Sequence, residues 1–422
     1  MRGYVEPSSE KPGKGPRSYR VLMIAPTSFF ADYGCHVRIL EEARILEKLG
    51  HHVVICTYHN GRDLPGLDIR RTMSIPWRKG YEVGSSRHKV AFDVLLSWRS
   101  LITTWQFRPH IIHAHLHEGA LIGYALSKLW RVPLVFDFQG SMTSEMIDHR
   151  FLSREGFLYP LMRKLEQYID WAVPHIMTSS VHAAELLIQE FRCSPHRITC
   201  IPDCVNPEFF KPMPKTEEQM RLRHAWGIPD GRMIVVYLGL LAEYQGTDYL
   251  LKAAQQICAR RDDIHFLIGG YPHVERYRQL STELGIADHV TFTGKVPYEE
   301  APRFLSLGDI AVSSKLSATE GAGKLLNYMA MALPTVAFDT PVSREYLGEH
   351  GLYAAPRDVD DLAHCIETLA DNPRLRIELG NALRQRAQER YSWELAGRKI
   401  LEVYASMIQW RKTCPVKSPL PD

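Results

Sequence analysis

The sequence lacks a hydrophobic run long enough to cross a bilayer. Its most apolar stretch, IIHAHLHEGALIGYAL (111–126), is interrupted by His and Glu, whereas a spanning helix needs about 18 or more clean apolar residues. A secretory leader pattern is also missing. The first 19 residues, MRGYVEPSSEKPGKGPRSY, hold Pro, Gly, Ser and Lys without an apolar centre, and they read as a disordered tail. Charge of one sign is not in excess: 51 Lys and Arg face 48 Asp and Glu, a formal net charge of +3. That balance gives no support for a nucleic-acid partner. The eight cysteines form no Cys-x-x-Cys and are irregularly spaced, which argues against a disulfide scaffold and for reduced thiols in the cytoplasm. Cys200 and Cys204 have no second ligand pair after them, so no zinc site is expected there. Asp358-Val-Asp360 resembles a metal-binding pair. It precedes LAHCIETLA, however, and reads as the acidic first turn of a helix. The expectation is no metal and no cofactor.

What remains is an alternation of short apolar strands and amphipathic helices. RVLMIAP (20–26) is followed by Gly34 and the helix CHVRILEEARILEKLG, with Val37, Leu40, Ile45 and Leu49 on roughly one face. Gly50 stops that helix, and HVVICTY (52–58) is the next strand. This is a strand–helix–strand unit of a parallel sheet. HIIHAHL (110–116), PLVFDF (133–138), HIMTSS (175–180) and RITCIPD (197–203) continue the series. NPEFFKPM breaks it. A second series runs from MIVVYLG (233–239) through HFLIGG, VTFTG and IAVSS to TVAFD (335–339). The expected organisation is a tail over 1–19, an α/β Rossmann-like unit over 20–205, a linker over 206–232, a second Rossmann-like unit over 233–390 and a terminal helix over 391–412. Two doubly wound units imply a cleft between them.

Four segments carry candidate chemistry. In TEGAGKLLNYMA (319–330), Glu320, Lys324 and Asn327 fall at i, i+4 and i+7 and share one helix face. Gly321 and Gly323 stand at the helix start, where free N–H groups and the positive dipole end suit a phosphate. The same spacing also fits a polar first turn on a core helix. Next, His113, His115 and His117 alternate, so on a strand all three point to one side. They read either as a metal cluster, which lacks a neighbouring ligand of another kind, or as a strand end facing the cleft. Asp137, Gln139 and Gly140 follow the next strand, where Asp137 is either catalytic or a turn residue. Finally, WRSLITTWQFR (98–108) reads as a core-facing stripe in preference to one grazing a membrane. The basic region Arg150–Lys164 is open to both readings.

The segment GKLLNYMAMALPTVAFDTPVSREYLG (323–348) resembles the donor-site helix and following strand of family 4 glycosyltransferases, which have the GT-B fold. Further resemblances occur in order from about Arg20 to Trp410: EKLGHHVVICTY, the His-x-His of HIIHAHL, IPDCVNPEFFKP and HVTFTGKVPYEEAPRFLSLGDIAVSS. The family carries Glu-x7-Glu at the donor helix. Aligning Met329-Ala330 places Asn327 at the second Glu and Thr319 at the first, with Glu320 one residue away. The family also reads Gly-Arg-Leu-x-x-x-Lys-Gly, where this chain has Leu240 and Gln245 in place of the Arg and Lys that grip the diphosphate.

The resemblance implies a GT-B glycosyltransferase that moves a sugar, with retention, from a UDP- or GDP-sugar to a hydroxyl of a glycan or lipid-linked acceptor. It implies catalytic roles for His115 and Glu320. Donor contacts are implied for Gly34, Gly239, Gln245, Lys295, Val296, Gly321, Gly323, Lys324, Leu325 and Asn327, and acceptor-side contacts for Gln139 and Gly140. The terminal helix is expected to cross back to the first unit. Location at the inner face of a membrane, through peripheral contact, is compatible with this. Leu240 and Gln245 keep open a non-catalytic nucleotide-sugar-binding partner, and a nucleotide-sugar epimerase of the same fold is a second enzyme reading.

Overall fold

The computed structural model describes residues 18–413 except 33, 75–88, 150, 215 and 317–320. Two parallel sheets carry the chain. The first contains β1 (Arg20–Ala25), β2 (His52–Thr57), β3 (Asp68–Arg71), β4 (Ile111–His115), β5 (Leu134–Phe138), β6 (Ile176–Thr178) and β7 (Ile198–Cys200), in the order β3-β2-β1-β4-β5-β6-β7. The second contains β8 (Met233–Leu238), β9 (Ile264–Gly269), β10 (Val290–Gly294), β11 (Ile310–Ser313), β12 (Thr335–Phe338) and β13 (Leu352–Ala354), in the order β10-β9-β8-β11-β12-β13. The central strands are near-continuous apolar runs because helices cover both faces. Val21 to Ala25 of β1 and Phe266 to Ile268 of β9 are fully buried.

Strand order reverses between β1 and β4 in one sheet and between β8 and β11 in the other. In open α/β sheets the crevice at such a reversal is where ligands bind. Here the two crevices open onto one cleft: Pro26 and Thr27 beyond β1 face Gly239 beyond β8 and Lys315 beyond β11. The halves also touch directly. Lys295 Nζ lies 2.9 Å from Asp32, and Tyr346 donates from its hydroxyl to the Ser179 carbonyl at 2.9 Å. The terminal helix Trp393–Thr413 packs on the helix Gly34–Lys48 of the first half. Its Tyr404 hydroxyl meets His113 Nδ1 at 2.8 Å.

Three expectations change. His117 does not share a face with His113 and His115. β4 ends at His115, Leu116 turns with φ 57°, and the helix Leu116–Trp130 begins there. His117 therefore points through the opposite side of the sheet, toward Glu166, Asp170 and the rings of Phe136 and Phe138. Leu49 lies beyond the helix end and is exposed; Leu40 and Ile45 are buried as expected, and the helix buries His36, Arg38, Glu41 and Glu42 as well. The stripe of Trp98 and Trp105 faces outward, because the inner face of Lys89–Phe107 is made of Phe92, Leu96, Ser100, Thr103 and Thr104. Among the described residues no helix is long and apolar enough to cross a membrane.

The start of Lys89–Phe107 is tied down by charge. Asp93 accepts from the Tyr58 hydroxyl at 2.5 Å, and Lys89 pairs with Glu118 at 2.5 Å. Burial, reinforced by Glu118, pushes the Asp93 carboxyl up to about 7. The folded protein therefore keeps a proton that the unfolded chain releases, and stability falls as pH rises from about 4 to about 7. Asp93→Asn should remove this decline and raise the thermal midpoint at pH 8 by roughly 2–4 °C. Parallel pH–stability curves for variant and wild type would refute the assignment.

Candidate active site

The cleft encloses a cavity of about 300 Å³. Its first wall is organised by Arg38, which is almost completely buried. The guanidinium grips Asp137 at the end of β5, Nε donating to Oδ2 at 2.9 Å and to Oδ1 at 3.1 Å and Nη2 to Oδ1 at 2.7 Å. Nη1 donates to Asp203 at 3.0 Å, Nη2 donates to the Ile201 carbonyl at 3.1 Å, and Nη2 lies 3.1 Å from Glu42 one turn along the same helix. Asp137 also accepts from Gln139 Nε2 at 2.7 Å and contacts His115 Nδ1 at 3.1 Å. The His115 ring stacks on His113 with centroids 4.4 Å apart.

These contacts set protonation states. Burial opposes ionisation of Asp137, but the Arg38 charge and the His115 bond outweigh it and hold the carboxyl below the usual range. Burial and the nearby Asp137 charge push the Glu42 carboxyl well up, against the pull of Arg38. Burial and the neighbouring His115 hold His113 well down, so it is neutral. Arg38 and Asp137 thus form a buried charged pair.

Glu42, His113, His115 and Asp137 could together offer four metal ligands within 4.8 Å of one another. The sequence argument against a metal was that no ligand of another kind stood nearby. The fold supplies two carboxylates. It also places the Arg38 guanidinium on both of them, and a dication there would meet that fixed positive charge.

The second wall is built by the helix Gly323–Ala330. Lys324 extends across the end of β8. Its ammonium donates to Gln245 Oε1 at 2.8 Å and to the Tyr237 hydroxyl at 3.0 Å, and sits 4.3 Å from the Tyr237 ring centre. A Cβ on Gly239 would lie 2.8 Å from this ammonium. Gln245 is thus a support for Lys324. Gly321 passes close to the first half: a Cβ there would meet Asp203 Oδ2 at 2.1 Å. Lys315, nearly buried, donates to the Gly321 carbonyl at 2.7 Å.

Most sequence candidates converge. Gly34, Gln139, Gly140, Gly239, Gln245, Val296, Gly321, Gly323, Lys324 and Asn327 all line the cavity. Three do not. His115 is fully buried behind Asp137 and Gln139, because the strand end is roofed by those side chains. Leu325 turns inward to the core at 1% exposure. Lys295 bridges to Asp32 at the cleft edge. Asp137 is neither a turn residue nor exposed; it is a buried strand residue paired with Arg38. Glu320 and Thr319 lie outside the described residues. Lys315 and Tyr237 were missed, although a lysine two residues beyond an apolar strand was a usable signal.

Removing the guanidinium leaves two carboxylates without their counter-charge. Arg38→Met should lower stability by about 3–5 kcal/mol, measured by urea unfolding. A loss below about 1 kcal/mol, the scale of a surface pair, would contradict the structural role given to Arg38.

Comparison with known proteins agrees with this geometry. Residues 33–204 match the glycosyl transferase 4-like domain, and residues 218–390 match glycosyl transferases group 1. The D-inositol 3-phosphate glycosyltransferase of Thermobispora bispora is 25% identical over 414 residues, covering 91% of this chain and 92% of that protein. Sucrose-phosphate synthase from Thermosynechococcus elongatus superposes with a TM-score of 0.78 at 18% identity, over 93% of this chain and 99% of that one. Anabaena HepE, solved in complex with UDP-glucose, gives 0.72 at 14% identity, over 92% and 100%. With two parallel sheets facing one cleft and both halves matched, the chain belongs to the family-4-type glycosyltransferases and has their GT-B fold.

Proposed function

We propose that the protein transfers a hexosyl group, with retention and without a metal, from a UDP- or GDP-sugar to a hydroxyl of a glycan or lipid-linked acceptor. The observation that carries this reading is the Lys324 ammonium, held on the cavity wall by Gln245 and Tyr237 at the first turn of Gly323–Ala330. A cation and a helix N-terminus facing one cavity suit the diphosphate of a nucleotide sugar. Gly323, where nothing fills the space of a side chain, lets that ligand approach backbone, while Gly239 and Gly321 make room for Lys324 and Asp203. Val296 lies on the same side, where the resemblance puts the base, and Asn327 suits a ribose diol. Glu320, by resemblance, would hold the transferred sugar.

Gln139 and Gly140 lie on the opposite wall and suit the acceptor. In a front-face transfer the acceptor oxygen bonds to the anomeric carbon as its bond to phosphate breaks. The acceptor proton passes to a phosphate oxygen of the leaving diphosphate. The protein then positions substrates and stabilises developing charge. His115 fits this scheme as a positioning residue, since it acts through Asp137 and Gln139. A cytoplasmic location is part of the proposal, in keeping with cysteines that are free wherever described.

The test is a donor screen by thermal shift, because ligand binding raises apparent stability, followed by transfer assays. Lys324→Ala should lose the donor shift and lower kcat/KM by about 10²–10³. Full activity in Lys324→Ala would defeat the diphosphate assignment. Donor binding by the wild type with no transfer to any acceptor would favour a non-catalytic partner, and an isomerised donor would favour an epimerase. Because Gln245 Oε1 touches the ammonium, adding Gln245→Lys to Lys324→Ala should restore part of the lost rate. No recovery in the double variant would show that the cation must come from the helix.

A further inference from the structure

Two helices of the first half are turned the wrong way for a protein surrounded only by water. Lys89–Phe107 exposes Val90, Val94, Trp98 and Trp105, the two tryptophans at 59% and 66%, while Ser100, Thr103 and Thr104 are buried. Tyr159–Ala172 exposes Leu161, Leu165 and Tyr168, spaced i, i+4 and i+7, and Phe157 just before it is 90% exposed. Its inner face carries Glu166 and Asp170, both fully buried. Glu166 accepts from the Thr143 backbone at 3.2 Å and the Thr143 hydroxyl at 2.5 Å, and Asp170 faces His117 at 3.4 Å. Burying carboxylates while leaving leucines in water is unfavourable on both counts. A half-turn of this helix would reverse both, yet the fold keeps the apolar stripe outward.

The two stripes belong to one surface. The helix Leu116–Trp130 packs against both helices and lies in the same layer, adding exposed Leu121 and Leu129. Neighbouring helix axes are about 8–10 Å apart, so the stripes lie within roughly 20 Å. Among the described residues of Lys89–Phe107, Leu116–Trp130 and Phe157–Ala172, the exposed charged residues are Lys128 and Lys164, with no exposed carboxylate, and exposed Arg108 and Arg131 directly follow the first two helices. The surface is therefore apolar and cationic, although the chain as a whole is nearly balanced. It is also continuous with the cleft: Lys89 and Phe92, in the first turn of the tryptophan-bearing helix, line the cavity.

We infer that this face, formed by Lys89–Phe107, Leu116–Trp130 and Phe157–Ala172, docks on an anionic lipid surface. Leucines and tryptophans enter the headgroup–acyl boundary, and the arginines and lysines meet anionic headgroups. Charge complementarity selects lipid over a second copy of the chain, since two copies of this face would set Lys128 and Lys164 against their own copies with no exposed carboxylate on it, among the described residues, to offset them. The docked cleft would open at the membrane surface. The inference stands independently of which donor or acceptor the cleft takes.

The test is sedimentation of the full chain with vesicles of phosphatidylcholine containing about one-third phosphatidylglycerol. Binding is expected, falling roughly tenfold or more with phosphatidylcholine alone. The paired variants Trp98→Ser/Trp105→Ser and Leu161→Ser/Leu165→Ser should each bind at least tenfold more weakly, with unchanged circular dichroism and thermal midpoint. As a check that needs no loss of apolarity, brominated lipids should quench tryptophan fluorescence in the wild type and quench it less in Trp98→Phe/Trp105→Phe, which still binds. No binding to anionic vesicles, or undiminished binding in both serine pairs, overturns the inference. So does a concentration-dependent dimer in analytical ultracentrifugation that both serine pairs abolish, which would assign the face to self-association.

Discussion

The buried guanidinium of Arg38 is the contact on which the rest of the cleft depends. It joins three stretches of the first half that are distant in sequence: its own helix, the end of β5 at Asp137, and the Ile201–Asp203 segment that leads toward the second half. Charged pairs out of water are costly unless their hydrogen bonds are filled, and here they are filled by two carboxylates and a carbonyl. The same pair orients Gln139 and His115 through Asp137. The chain of contact continues across the cleft. Arg38 holds Asp203; Asp203 sits where Gly321 has no room for a side chain; Lys315 holds the Gly321 carbonyl; and Gly323 and Lys324 follow. One cation in the first half therefore helps set where the second half presents its own.

Much of the fold was legible because doubly wound sheets write themselves plainly. Strands buried on both faces are short apolar runs, and helices between them are amphipathic. The glycine-bracketed helix at Gly323 and its Lys324 were readable for a related reason: a helix start has a local signature. The histidines show where such reading ends. Alternation places His113 and His115 together, but nothing in it says that β4 stops at His115, so His117 was carried to the wrong side. The partner sets were equally hidden. Arg38 meets Asp137 99 residues away and Asp203 165 residues away, and no local pattern reports pairings of that range.

The orientation of amphipathic helices was the other blind spot, and its cause is general. Periodicity shows that a helix has two faces; it does not show which one meets the protein. For Lys89–Phe107 the apolar stripe with Trp98 and Trp105 was read as core. The actual inner face pairs Phe92 and Leu96 with small Ser and Thr side chains that fit close against the sheet. For Tyr159–Ala172 the inner face is secured by specific bonds to Glu166 and Asp170. Specific polar contacts fixed orientation where bulk hydrophobicity would have chosen the reverse.

The departure at Gln245 and the placement of Lys324 are best understood together. In the resembling family a lysine stands where this chain has Gln245. Here the Lys324 ammonium lies 2.8 Å from Gln245 Oε1. A second ammonium at that spot would be held against the first. Two unit charges about 3 Å apart repel by roughly 5 kcal/mol even at an effective dielectric of 20. A neutral amide does the opposite, since its oxygen accepts from the ammonium. With Lys324 on the helix, a glutamine at 245 follows from electrostatics, and the cleft keeps a cation at the end of β8 delivered from a different element. Moving it to the first turn of Gly323–Ala330 also aligns the charge with the helix dipole. An anion in the cleft would then meet both fields from the same side.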